Sequence, residues 1–196
     1  MSTLLVAAIQ DVAGAGSKAT LPITGADFTL GPGWGAWEWV SGTNISAVTN
    51  IDVQSFATGY DYQISIQGAI PGTDAVRLYC KLFQSATIVE ASNDYATSNL
   101  GLSTFIRIGT QTCGNAGNEG LCAEVTIHEP NVDGRVKRVM ADTLEAYTNG
   151  TDEYTRSHAG GRLEKNTDAC DGIRFYWSSG DWTANGKIYV FRRRLS

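Results

Sequence analysis

Apolar and polar residues alternate in short runs along most of this chain, and Gly, Pro, Asn and Asp separate the runs. A period of two marks a strand with one buried face. SAVTNIDVQSF, DYQISIQGAI, AVRLYCKLFQ, LCAEVTIHEP, GRVKRVMADT, GIRFYWSS and GKIYVFRR each have strand length. In AVRLYCKLFQ, Val76, Leu78, Cys80 and Leu82 share one face, with Arg77, Tyr79 and Lys81 on the other. That strand is predicted to press one face into a core. PGTD, NVDG, TNGTD, SSGD and ANG supply the turns, the NG steps suiting positions of positive φ. No helical repeat is sustained, and the best helical candidate, DTLEAY, is short. Strands in turn-separated succession, without helical crossovers, predict an all-β protein, an antiparallel β-sandwich of jelly-roll-like form.

The two ends of the chain read differently. Residues 1–30 are rich in small side chains and show little strand periodicity, so they predict an extended N-terminal arm that needs a partner surface to become ordered. Leu4, Leu5, Val6 and Ile9 suggest a strand pairing with another subunit, while Leu21, Pro22, Ile23 and Phe28 can pack along the body. From GPGWGAWEWV the pattern changes, with Trp37 and Trp39 alternating around Glu38, and the sandwich is predicted over residues 31–196. The final segment GIRFYWSSGDWTANGKIYVFRR reads as two strands paired through SSGDWTANG, with Ile173, Phe175 and Trp177 entering the core.

Composition supports this reading. Twenty-two glycines, eight tyrosines and five tryptophans among 196 residues favour strands and tight turns. No apolar run approaches the ~20 residues needed to span a bilayer, and the opening MSTLLVAAIQDVAGAG lacks the cationic start of a signal peptide. A protein made in the cytoplasm, without membrane insertion, is expected. A formal charge of −5 argues against direct nucleic-acid binding. The charge is uneven, however. Lys18, Arg77, Lys81 and Arg107 precede residue 135, and the other basic residues all lie between Arg135 and Arg194, either as scattered solvated charges or as a patch for an acidic neighbour.

Candidate chemistry is sparse. The four cysteines, Cys80, Cys113, Cys122 and Cys170, include no CxxC pair, and no His stands at metal-ligand spacing, so neither a metal nor another cofactor is expected. Cys113 and Cys122 flank the loop GNAGNEGL and are able either to close a small disulfide ring or to remain thiols. His128 and His158 sit in no recognisable catalytic motif, so no enzymatic activity is expected. The aromatic side chains Trp34, Trp37, Trp39 and Trp182 are candidates for a subunit interface or for stacking on a glycan. Trp182 in GDWTANG reads as a residue of a hairpin tip or strand edge, either a staple on its own sheet or a contact for a neighbour.

DACDGIRFYWSSGDWTANGKIYVFRRR resembles the closing strands of a family of tailed-bacteriophage virion surface proteins. Ile173, Phe175 and Trp177 match the aromatic-rich strand, Ser178, Ser179 and Gly180 the turn, and Gly186, Ile188 and Val190 the last strand. NIDVQSFATGYDYQISIQGAIPGTDAVRLYCKLFQ is similar to an upstream hallmark of that family, and MSTLLVAAIQDVAGAG to N-terminal segments of phage tail-fibre and particle-surface proteins. The resemblance implies a non-enzymatic virion structural protein on the particle exterior, as capsid decoration or as a short head, collar or tail fibre. It implies assembly with itself, as a homo-trimer, and with other virion proteins. The alternative is a carbohydrate-binding or receptor-binding module that contacts a host-surface glycan.

Overall fold

The computed structural model describes residues 37–98, 100–148 and 152–195, which form thirteen strands and no helix. In chain order these are β1 (Glu38–Asn44), β2 (Asn50–Gln54), β3 (Tyr60–Ala69), β4 (Leu78–Gln84), β5 (Thr87–Ile88), β6 (Tyr95–Thr97) and β7 (Gly101–Ser103). They continue as β8 (Ile106–Arg107), β9 (Gly120–His128), β10 (Arg138–Thr148), β11 (Asp152–Leu163), β12 (Gly172–Trp177) and β13 (Lys187–Arg194). The arm candidates Leu4, Leu5, Val6, Ile9, Leu21, Ile23 and Phe28, together with Trp34, lie outside the described residues.

Two antiparallel sheets pack together as a β-sandwich. The larger has the order β1-β13-β3-β9-β10-β11-β6-β7; the smaller has the order β2-β12-β4-β5, with β8 also paired to β4. The pairing is nested: β1 with β13, β2 with β12, β3 with β9, and β4 with β5 and β8. Successive pairs alternate between the sheets. The chain therefore runs as one long folded ribbon rolled around the core, which is the winding of a jelly roll. The β10–β11 hairpin, inserted between β9 and β12, widens the larger sheet.

Period-two patterning accounts for the core. In β4, Leu78, Cys80 and Leu82 point inward, with Val76 buried just before the strand, while Tyr79 and Lys81 alternate with them. Ile173, Phe175 and Trp177 of β12 complete the smaller sheet's inner face, opposite Ile64 and Ile66 of β3, Val125 and Ile127 of β9, and Ile188 and Val190 of β13.

The pairing of the last two strands differs from the sequence expectation. β12 and β13 belong to different sheets, so SSGDWTANG is a crossover between the layers rather than a hairpin. It is tied down by Trp182 N–H donating to Val48 O at 2.9 Å and Thr183 N–H donating to Ile70 O at 3.1 Å. Trp182 accordingly lies in the core, 1% exposed, with its ring centroid 5.1 Å from that of Trp177. It is available neither to a neighbour nor to a glycan, because the crossover has to plug the end of the sandwich. DTLEAY is also not helical: it belongs to β10, where Ala141, Thr143 and Glu145 face inward.

Candidate functional site

Among the described residues, chemistry concentrates on the outer face of the larger sheet and in one polar pocket of its inner face. At the β1 edge, Trp39 is 65% exposed and stands opposite Phe191. A register shift between Trp39 and Ser41 marks a bulge that interrupts this edge, a device that limits uncontrolled strand addition. Gly42 follows on the same outer face, opposite Tyr189. A Cβ at Gly42 would lie 2.8 Å from the Tyr189 ring, so only glycine lets the tyrosine lie against the strand there. Trp37 is half-buried, with the Arg193 guanidinium 4.9 Å from its ring centroid, a cation–π contact. Of the aromatic candidates described, Trp37 and Trp39 therefore sit together at one margin of the sheet, and Trp182 does not join them.

Each histidine has a carboxylate beside it. His128 Nδ1 lies 3.3 Å from Asp61 Oδ2, and His158 Nδ1 lies 3.7 Å from Asp142 Oδ1. Asp61 is almost wholly covered; burial raises its pKa, but hydrogen bonds from Arg193, the Glu129 N–H and His128 outweigh it and hold the carboxyl below its ordinary value. Asp142 is bonded by both Arg156 Nε and a terminal nitrogen of the same guanidinium, which lowers its pKa. Neither imidazole has a hydroxyl or thiol within hydrogen-bonding reach among the described residues, and no three His, Cys, Asp or Glu side chains there gather as a metal site.

The disulfide suggested by the Cys113–Cys122 spacing does not form. All four cysteines are free; Cys113 is buried in the core and Cys122 points to the outer surface, because strand alternation in β9 sends Leu121 and Ala123 inward and Cys122 out. Burial pushes the Cys113 thiol well above its ordinary pKa, which makes it a poor thiolate.

The inward polar pocket was not legible in the sequence. Glu145 is 1% exposed and its Oε2 accepts from Gln111 N–H at 3.1 Å and Ser157 Oγ–H at 3.2 Å, while Oε1 has no hydrogen-bond partner. Ser157 Oγ is also 2.7 Å from Thr143 Oγ1. Burial raises the Glu145 pKa more than these hydrogen bonds and nearby Arg107 lower it. A group with a raised folded-state pKa contributes stability below its unfolded pKa and loses it as pH rises through the folded one. Glu145→Gln should therefore gain stability relative to wild type between acid and neutral pH. Urea unfolding at pH 4 and pH 7 tests this; an equal difference between the two proteins at both pH values would contradict it.

No family model, curated protein or solved structure matches this chain.

Proposed function

We propose that the protein is a non-enzymatic structural component of the exterior of a tailed-bacteriophage particle, acting through assembly contacts as capsid decoration or as a short head, collar or tail fibre. The observation that carries the reading is the edge of the jelly roll at β1, where Trp39 and Val40 are exposed on an ordered strand, 65% and 40% respectively. A large exposed aromatic residue on an edge strand suits a contact surface. The nested winding adds support, since jelly rolls recur in viral capsid domains, although they also recur in lectins and cupins, and fold alone does not define function. The similarity of the closing segment and of the β2–β4 region to phage virion surface proteins points the same way. A second reading, a receptor-binding or glycan-binding module, is favoured by the outward position of Trp39 next to Tyr189.

Assembly predicts self-association, as a trimer, with residues 1–30 and the Trp39 edge in the contacts. Sedimentation of the full chain should give an oligomer, weakened by removal of residues 1–30 and by Trp39→Ser. A full chain that stays monomeric at high concentration would overturn this reading.

A further inference from the structure

The larger sheet places two guanidinium groups, those of Arg138 and Arg162, directly opposite one another. Arg138 of β10 pairs in register with His128 of β9 on one side and with Arg162 of β11 on the other. All three side chains face outward. Like charges in directly opposed positions of an antiparallel pair destabilise it. The outer members of this row have local compensation: Arg162 bonds Glu164, and His128 lies against Asp61, which also binds Arg193. Arg138 has none, and no carboxylate among the described residues bonds its guanidinium. Several other basic residues are paired, Arg135 with Glu129, Arg156 with Asp142, Arg174 with Asp52 and Arg192 with Glu38, while Lys165, Lys187 and Arg194 have no carboxylate partner among the described residues. Arg138 is thus an open guanidinium held between two other basic groups.

Beside it the sheet has a gap. In β11 the outward row runs His158, Gly160, Arg162, and Gly160 lies opposite Met140. Gly160 has φ +146°, and a Cβ there would fall 2.2 Å from Val139 O, so the backbone itself demands glycine and leaves the outward position empty. The result is a shallow trough of about 470 Å³ floored by Gly160 and Gly161 and bordered by Met140, Ser98, Arg138 and Arg162. The trough is a shallow depression open to solvent, larger than an inorganic anion.

We propose that Arg138, Arg162 and the Gly160 trough form a binding site for an acidic saccharide. The sugar's anionic group is held by the guanidinium of Arg138, with Arg162 beside it, and the ring lies in the trough. Guanidinium groups match carboxylate and phosphate groups in planar, two-point hydrogen bonds. Exposed Met140 offers a surface for the apolar face of the ring. The site lies four strands from Trp39 and does not depend on the assembly reading.

The test uses the full chain and titrates it, by calorimetry and by NMR shifts, with a glucuronate-containing oligosaccharide, its neutral glucose counterpart, inorganic phosphate and a polyglutamate peptide. The glucuronate oligosaccharide should bind, and Arg138→Gln should weaken it by about tenfold or more, the loss expected for a charge-assisted two-point contact. Arg138→Lys should weaken it less, and Lys187→Gln, the same charge change on distant β13, should leave it unaltered. Relief of the Arg138–Arg162 like-charge pair should leave Arg138→Gln melting no lower than wild type. No binding, binding indifferent to Arg138→Gln, or equal binding of phosphate, neutral sugar or peptide would each overturn the proposal. So would an Arg138→Gln variant that fails to fold, since the row would then be structural.

Discussion

Phe175→Ala is expected to lower the stability of the fold by about 3–5 kcal/mol, the range for truncating a buried aromatic residue in a core that only partly collapses around the gap. Phe175 is 0% exposed and sits in the middle of β12, between Cys80 of β4 and Ile51 of β2. Its inward neighbours along the strand, Ile173 and Trp177, are also buried, and Trp177 packs against Trp182. The removed ring therefore leaves a void bounded by both sheets, with no exposed side chain free to swing into it. Urea unfolding should show a lower midpoint with an unchanged slope. A loss near zero would mean that the face of β12 has been assigned the wrong way round.

Lys137→Met is expected to cost about 2–4 kcal/mol, although the substitution retains the apolar stem of the side chain. Lys137 is 0% exposed and lies just before β10. Its ammonium donates to the carbonyls of Val132, Arg135 and Thr167, the last at 3.1 Å. This one side chain gathers the β9–β10 loop and the β11–β12 loop. Burial lowers its pKa, with nearby acidic groups opposing that shift. Without the ammonium three carbonyls lose their donor at once, and water can replace only part of the loss because the Nζ site is enclosed. Lys187→Met, on the exposed start of β13, should change stability by less than about 0.5 kcal/mol. Equal small effects at both positions, measured by the same unfolding experiment, would refute the bridging role of Lys137.

The strands with one apolar face could be read directly from the chain. Val76, Leu78, Cys80 and Leu82 are buried as their alternation predicts, and so are Ile173, Phe175 and Trp177. β11 was not legible for a physical reason. Its inner face carries Ser157, Ala159 and Gly161, and its outer face Arg156, His158 and Arg162, so hydrophobic alternation is absent. What faces the core there is a hydroxyl engaged by Glu145, a contact set by cross-strand register rather than by local sequence. The same limit explains the last two strands. Adjacent strands joined by a Gly-rich turn suggest a hairpin, but a jelly roll pairs the end of the chain with its beginning. Partners such as Val190 and Ser41 are brought together only by the rolled fold. The outer-face sites are hidden for that reason too: Arg138 and Arg162 are far apart in sequence yet directly opposed in the sheet.

The central proposal, that this jelly roll works by assembling on the outside of a phage particle, is tested most directly by cryo-electron microscopy of virions purified from a culture in which this chain is produced. The account predicts density for a two-sheet jelly roll in repeated copies on the exterior, with the β1 edge and Trp39 against a neighbouring subunit. Absence of the chain from purified particles, or its presence only as isolated single copies with Trp39 facing solvent, would contradict it.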